Sequence, residues 1–258
     1  MYEHNLNPIA LSVFGIKIYW YSLAYIFGFL FTFWYSKLLI KKKILKLNVK
    51  IADDFISFGI IAVILGGRIG YIIFYNLEFY LNNPINIIKI WQGGMSFHGA
   101  LIGLIMYMII FANKTKQNIV ELANLLAFCA PIGIFLGRIA NFVNAELIGR
   151  ATNGTWGVIY SFADQPRHPS QIYEALFEGL LTFLILLIFS KSKLKEKFNA
   201  FSIFLICYSL SRFFIEFYRE PDSQLGFIFN NFSMGQLLTL PMLIFGLIFL
   251  KNAEKKQN

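Results

Sequence analysis

The sequence predicts an all-α polytopic membrane protein, with seven transmembrane helices in a single domain that covers residues 1–258. Three observations lead to this class. The chain is 57% hydrophobic and only 14% charged, which is too apolar for a soluble domain. Several apolar runs approach or exceed the roughly 20 residues that a spanning helix needs. Lysines cluster in short segments between these runs, as in the cytoplasmic loops of membrane proteins.

The seven predicted spans follow one another with mostly short connections. They cover residues 18–39, 52–75, 96–113, 119–140, 171–190, 199–218 and 234–250. The first is the cleanest, and it is too long, with no basic segment before it, for a cleavable signal peptide. The longest polar stretch, residues 141–170, holds Asn153-Gly154, Pro166 and Pro169. These turn formers predict an ordered head segment outside the membrane.

Lysines orient the predicted bundle. Fifteen of the 23 basic residues lie in alternating connections: Lys37, Lys41, Lys42, Lys43, Lys46, Lys50, Lys114, Lys116, Lys191, Lys193, Lys195, Lys197, Lys251, Lys255 and Lys256. Such connections face the cytoplasm. The N-terminus is therefore expected outside and the C-terminus inside, which requires an odd number of spans. The net charge of +9 is explained by these loops, so we expect no nucleic-acid partner.

The arginines are distributed differently from the lysines. All six lie outside those connections: Arg68, Arg138, Arg150, Arg167, Arg212 and Arg219. A guanidinium group suits sites where a planar fork grips a phosphate or a carboxylate. The topology places several of them at one depth, near the outer ends of the spans. A charge deep in a bilayer costs at least about 2.5 kcal/mol, so such groups usually pair or line a site.

The sixth predicted span carries a polar stripe. Tyr208, Arg212 and Glu216 are spaced four residues apart, and Arg219 follows three residues later, so they share one helical face. One interpretation is an Arg–Glu ion pair that only stabilises the helix. The other starts from the arginines at this depth, which outnumber the acids that would neutralise them. An anionic ligand would balance that surplus.

Other candidate residues have simpler interpretations. The pairs Gly66/Gly70 and Gly99/Gly103 predict close helix packing. On position alone, His98 at a span edge is more often structural than catalytic, although imidazole can move protons near neutral pH. Cys129 and Cys207 are interpreted as packed thiols, not as a disulfide, a metal site or a nucleophile. The sequence has no metal-ligand cluster and no nucleotide loop, so we expect no cofactor.

The run Gly-Arg-Ile-Ala-Asn-Phe-Val-Asn-Ala-Glu-Leu-Ile-Gly-Arg at residues 137–150 closely resembles the signature of prolipoprotein diacylglyceryl transferases. It mixes charged, amide and glycine positions over 14 residues, so a chance match is not expected. Further segments resemble the same family in the same order: residues 20–23, 93–103, 167–174, 208–222 and 233–236. The resemblance thus covers nearly the whole chain.

The resemblance implies a seven-span enzyme of the bacterial inner membrane, with a periplasmic head segment and an active site toward the periplasm. Its substrates would be phosphatidylglycerol in the bilayer and the lipobox cysteine of a prolipoprotein. It implies catalytic roles for Tyr21, His98, Arg138, Tyr208 and Arg212, and lipid-binding roles for Arg138, Asn141, Glu146, Gly149, Arg212 and Glu216. The sequence departs from the family where Ser22 and Ala100 replace expected glycines.

The implied reaction is attack of the cysteine sulfur on the glycerol carbon that bears the phosphate, which forms a thioether and releases glycerol phosphate. Arg138 and Arg212 are the candidates to bind the phosphate and stabilise its developing charge. His98 is the candidate base for the thiol, or alternatively a positioning residue, with Tyr21 or Tyr208 orienting the donor or the proton. Asn141 and Glu146 are expected to shape the head segment.

The competing function is a transporter or channel for an organic anion, which would also place arginines inside a bundle. The polar groups gather near one face instead of spanning the depth, and the sequence contains no internal repeat. Both observations favour the enzyme.

Overall fold

The computed structural model describes residues 1–221, 227–228 and 232–255. The described chain is mostly helical, as predicted. Its α-helices are α1 (Trp20–Lys41), α2 (Val49–Tyr75), α3 (Leu77–Asn82), α4 (Phe97–Thr115), α5 (Ile119–Val143), α6 (Ser170–Glu174), α7 (Thr182–Lys191), α8 (Ala200–Ile215) and α9 (Met234–Lys255). Two predicted features, Asp222 in a family-like segment and Lys256 in the last lysine cluster, lie outside the described residues.

Within the described residues, six helices are long and apolar enough to cross a membrane: Trp20–Lys41, Val49–Tyr75, Phe97–Thr115, Ile119–Val143, Ser170–Lys191 and Met234–Lys251. They match six of the seven predicted spans to within a few residues. The remaining one, predicted at 199–218, is the 16-residue helix α8, which is apolar but shorter than the others. A seventh crossing and the orientation of the termini stay predictions.

The helix Ser170–Lys191 is not regular throughout. A π-helical segment, Ala175–Leu181, joins α6 to α7. Gly179 in this segment packs directly on α5, where a methyl group at its Cβ position would lie 2.8 Å from the backbone nitrogen of Phe135. Such π-helical turns are rare and occur frequently at functional sites.

The chain divides into two compact units, one made of residues 1–35 and 124–258, the other of residues 36–123. The larger unit contains short strands that the sequence did not predict. β1 (Tyr2–Glu3) pairs in parallel with β4 (Val158–Ile159), and β2 (Ile9–Val13) pairs antiparallel with β3 (Ile16–Tyr19). β5 (Phe227–Ile228) pairs with β6 (Phe232–Ser233). Residues 18 and 19, expected in the first span, therefore belong to β3, and α1 begins at Trp20.

In the larger unit, the head segment is tied to the ends of α6 and α8 by backbone hydrogen bonds. Gly149 donates to the carbonyl of His168 (3.0 Å), and Arg150 donates to the carbonyl of Tyr218 (2.8 Å). A side chain at Gly149 would collide with both carbonyls. Glycine is therefore required where the backbone of the head segment passes the backbone at His168 and Tyr218. Burial between the rings of Tyr173 and Tyr218 lowers the pKa of His168, which favours a neutral imidazole.

In the unit of residues 36–123, α2 packs closely on α4 as the glycine spacing predicted. A methyl group added at Gly66 would lie 2.6 Å from the carbonyl oxygen of Gly99 and 3.0 Å from the Cα of Gly103. Ala100, which replaces an expected glycine, has its methyl carbon 3.5 Å from the position that a Cβ on Gly67 would take. The small residues therefore allow the two backbones to approach.

Arg68 has a different role from the one its sequence position suggested. Its buried guanidinium donates to the carbonyls of Ile87 (2.9 Å) and Gly94 (3.2 Å), and also to those of Asn86, Lys89 and Gly93. It also lies 5.0 Å from the centre of the Tyr80 ring. These bonds organise the connection between α3 and α4. Counting Arg68 among the arginines that call for an anionic ligand was wrong, because backbone carbonyls satisfy it.

Candidate functional site

In the larger unit, side chains of α5, the Ser170–Lys191 helix and the α8 end meet in one ion-pair cluster. We call it the arginine–glutamate cluster; it consists of Arg138, Glu174, Glu178, Arg212, Glu216 and Arg219. Its members come from three separate parts of the chain. The predicted convergence of Arg138 and Arg212 is therefore confirmed.

Glu174 is the centre of this cluster. Its Oε2 lies 3.1 Å from Arg138, and its Oε1 lies 2.6 Å from Arg212 and 3.0 Å from Arg219. The side chain is completely buried. Removing one partner from a buried ion pair is strongly destabilising, because an uncompensated charge remains. One carboxylate thus sets the relative positions of three guanidinium groups.

Glu178 forms a second bridge between the same two arginines. Its carboxylate oxygens lie 3.3 Å from Arg138 and 3.4 Å from Arg212. It is completely buried within the π-helical segment Ala175–Leu181. Arg138 and Arg212 are held side by side although they are distant in sequence.

The stripe predicted on the sixth span lies on α8 and the turn that follows it. Arg212 Nη2 and Glu216 Oε2 are 2.8 Å apart, so the ion pair of the simpler interpretation is formed. Gly235 in α9 makes room for this carboxylate, since a Cβ there would lie 2.6 Å from Glu216 Oε1. Tyr208, one turn before Arg212, stacks on Phe204 at 5.8 Å between ring centres.

The charges of the cluster balance, contrary to the sequence prediction. Its three arginines meet three glutamates. The expected surplus of positive charge was wrong, because Glu174 and Glu178 both pair with these arginines. A ligand is not needed for neutrality. However, a guanidinium has five N–H donors, and the side chains of Arg138 and Arg212 keep 19% and 13% of their exposure.

The lipid-binding candidates of the 137–150 run lie beside the cluster and build the head segment. The Asn141 amide donates to Glu146 Oε2 (3.1 Å), and the Asn144 amide lies 3.3 Å from Glu146 Oε1. Gln171, just before Glu174 in sequence, donates to the Glu146 backbone carbonyl at 2.6 Å. This chain of hydrogen bonds couples the end of α5 to the start of α6, the helix that carries the central carboxylate.

Tyr21 and His98 are not among the residues that form these ion pairs. Tyr21, in the first turn of α1, packs against Tyr25 with 5.3 Å between ring centres and borders a groove with Gly137. His98 lies in the first turn of α4, where it packs against Phe97, and belongs to the unit of residues 36–123. Its role as base or positioning residue stays a prediction.

The catalytic and lipid-binding roles implied by the resemblance did not include four residues that the structure places in or beside the cluster: Arg150, Glu174, Glu178 and Arg219. Arg150 donates to the carbonyls of Arg219 (2.9 Å) and Glu216 (3.2 Å). Two acids four residues apart in an apolar run were the available signal, because such charges almost always have partners. Among the described residues, no group of three or more His, Cys, Asp or Glu side chains could hold a metal ion.

Fold and site together define the class: a polytopic helical membrane protein with a buried, arginine-rich site between helices. Comparison with known proteins identifies the family. A family model described as prolipoprotein diacylglyceryl transferase matches residues 8–251. The chain therefore belongs to the prolipoprotein diacylglyceryl transferase family, as the sequence resemblance indicated.

Similar proteins cover nearly the whole chain. One from Rickettsia typhi is 48% identical over 245 residues, which are 94% of this chain and 95% of that protein. One from Ehrlichia ruminantium (strain Welgevonden) is 48% identical over 98% of this chain and 99% of its own length. One from Rickettsia bellii (strain OSU 85-389) is 46% identical over 97% of this chain and 96% of its own length. Each is named a phosphatidylglycerol–prolipoprotein diacylglyceryl transferase, which favours the enzyme over the anion transporter.

Proposed function

We propose that the arginine–glutamate cluster binds the phosphate of phosphatidylglycerol while the diacylglyceryl group moves to the lipobox cysteine of a prolipoprotein. As a member of its family, the chain is a transferase that moves this group from phosphatidylglycerol to prolipoproteins. The observation that carries the site assignment is the double bridge from Glu174 and Glu178 to Arg138 and Arg212. It holds together two arginines whose side chains keep 19% and 13% of their exposure.

The reaction needs charge stabilisation more than it needs a strong nucleophile. The cysteine sulfur attacks the glycerol carbon, the C–S bond forms and the C–O bond to phosphate breaks. The electron pair leaves with glycerol phosphate, and the thiol proton goes to a base. A thiol has an ordinary pKa of about 8.5, so the thiolate is accessible near neutral pH. Expulsion of a phosphodiester from an alkyl carbon is the harder step.

A cluster with fixed guanidinium groups suits that harder step. Donors aimed in advance at a developing negative charge stabilise a transition state without reorganising, and they act strongly where water is excluded. The buried glutamates supply this fixation. They also keep the empty cluster neutral, which lowers the cost of burying three arginines. The donor phosphate would then bind the guanidinium N–H groups that face away from the glutamates.

The remaining roles extend the proposal. His98 accepts the thiol proton or positions its acceptor, and Tyr21 and Tyr208 orient the donor. Asn141 and Glu146 hold the head segment against the cluster, and Gly149 allows its backbone to cross. The lysine-rich connections support an inner-membrane orientation with the site toward the periplasm.

The test is transfer by purified protein in phosphatidylglycerol vesicles with a lipobox peptide as acceptor. The wild type should yield thioether-linked diacylglyceryl peptide and an equal amount of glycerol phosphate. Arg138→Ala and Arg212→Ala should each lower kcat/KM by at least about 100-fold, as when a transition-state donor is removed. The control Arg167→Ala removes an arginine that pairs with Glu220 in the head segment, and it should stay active. Robust turnover by either cluster variant contradicts the phosphate assignment.

A further inference from the structure

The larger unit also contains an apolar groove between α1 and α5. Its walls include Tyr21, Gly28, Thr32, Cys129, Gly133 and Gly137, and it encloses about 240 Å³. The groove runs along α5 from Gly137 to Cys129, which is about 12 Å at the rise of an α-helix. Of these wall residues, the proposed chemistry uses Tyr21 alone.

The polar atoms in the walls are satisfied within the walls. The Thr32 hydroxyl donates to the Gly28 carbonyl at 2.8 Å, and the Cys129 thiol lies 4.0 Å from the Thr32 carbonyl. Cys129 itself is buried. A polar ligand would find few groups to bind here, whereas an alkyl chain would meet apolar surface.

Two glycines of α5, Gly133 and Gly137, leave space open in this groove, whereas a methyl group at Gly28 of α1 would lie 3.7 Å from the Gly133 Cα. A methyl group at Gly133 or Gly137 would have no atom within 4 Å beyond its own helix, whereas one at Gly66 would collide with the carbonyl of Gly99. The same residue type therefore serves two purposes in this protein. Apolar space without partner atoms forfeits dispersion contacts, so an apolar occupant would be stabilised here.

One end of the groove is next in sequence to the proposed headgroup site, since Gly137 directly precedes Arg138 in α5. Tyr21, a candidate for orienting the donor, forms part of its wall. Asn141 follows Gly137 by four residues, so both lie on the same face of α5. A lipid whose phosphate binds at Arg138 would therefore have its acyl chains near the open end of the groove.

We infer that this groove holds one acyl chain of the donor phosphatidylglycerol, and that Gly133, midway along it, sets how long a chain is accepted. The inference rests on the proposed phosphate site. Thr32 and Cys129 line the part of the groove farthest from Gly137. The acyl chain is not altered in the reaction, so the groove contributes donor specificity and positioning only.

The test compares donors of different chain length in one assay. Gly133→Leu fills the groove midway, so kcat/KM for dipalmitoyl phosphatidylglycerol should fall at least about tenfold, in the range of hydrophobic-pocket discrimination. The value for dihexanoyl phosphatidylglycerol should stay largely unchanged. Phe27→Leu alters an exposed residue of α1 outside the groove walls, and it should preserve the wild-type ratio.

A second measurement needs no variant. Phosphatidylglycerol with a diazirine on one acyl chain should label residues 25–32 and 129–137 of the wild type, more strongly than phosphatidylethanolamine with the same chain. The groove assignment would be overturned if the membrane-inserted Gly133→Leu variant kept the wild-type ratio of kcat/KM between dipalmitoyl and dihexanoyl phosphatidylglycerol. Labels confined to other segments would overturn it as well. Loss of all transfer by the wild type would instead refute the proposed function itself.

Discussion

Glu174 shows how one buried carboxylate can decide the geometry of a site made mainly of arginines. It contacts three guanidinium groups from two other parts of the chain. Its neighbour Glu178 contacts two of the same arginines. We interpret both acids as positioning residues, because their oxygens are engaged by arginines and the proposed donor phosphate would occupy the opposite side of those groups.

At this scale we predict the effect of Glu174→Gln. The amide keeps the size of the side chain but leaves three guanidinium groups with two carboxylates, so the arginines should move apart. We expect kcat/KM for transfer to fall by about 100-fold and the thermal midpoint to fall as well. Assays in vesicles and thermal unfolding in detergent measure the two effects.

The matched control is Glu220→Gln. Glu220 pairs with Arg167 at 2.9 Å but is half exposed, and such pairs contribute little to stability. Its activity and thermal midpoint should stay near those of the wild type. If Glu174→Gln behaved like Glu220→Gln, Glu174 would have no positioning role.

At the scale of elements, the backbone contact between α2 and α4 allows a prediction about the stability of glycine variants. Gly66→Ala places a methyl group within 2.6 Å of the Gly99 carbonyl, so the helices must separate, at a cost of about 1–3 kcal/mol. Gly59→Ala, on the same helix, would place its methyl group in ordinary contact with the side chains of Tyr107 (3.6 Å) and Leu104 (3.8 Å), and it should be neutral or stabilising. Thermal unfolding of both variants tests the pair. Equal midpoints would show that the close approach is not needed.

The connection from α3 to α4 depends on a single side chain, Arg68. Arg68→Lys keeps one charge but cannot reach five carbonyls with one ammonium group. We expect residues 84–95 to be cleaved faster by protease in this variant than in the wild type. Cleavage at the wild-type rate would mean that the 3₁₀ turns Pro84–Ile88 and Ile90–Gln92 hold this connection without the arginine.

At the scale of the whole molecule, the lysine pattern predicts an outside N-terminus and seven crossings. Cysteines introduced at Asn153 in the head segment and at Lys195 should react with an impermeant maleimide from opposite sides, because Ser170–Lys191 lies between them. The wild-type thiols Cys129 and Cys207 are replaced beforehand. Intact spheroplasts should label position 153 and leave position 195 unlabelled.

The short helix α8 decides the number of crossings. A cysteine at Pro221, after this helix, should label from the same side as position 153 if α8 crosses the membrane. Labelling from the side of Lys195 would reduce the crossings to six and place the α8 end of the arginine–glutamate cluster on the wrong side for the proposed chemistry.

Composition and pattern alone determined the class of this protein, the positions of six long apolar helices and the family. These properties depend on apolar length and residue order, which are local in the chain. The i, i+4 spacing of Arg212 and Glu216 also predicted their ion pair, since neighbours on one helical face meet regardless of the rest of the fold.

Only the tertiary structure decided what the arginines contact. Arg68 and Arg138 both occupy apolar runs, yet one binds backbone carbonyls and the other binds Glu174 and Glu178. Likewise Gly66 touches a neighbouring helix while Gly133 borders open space. A buried charge needs a partner whatever the fold, but which partner it meets depends on helix packing between distant parts of the chain, and local sequence does not contain that information.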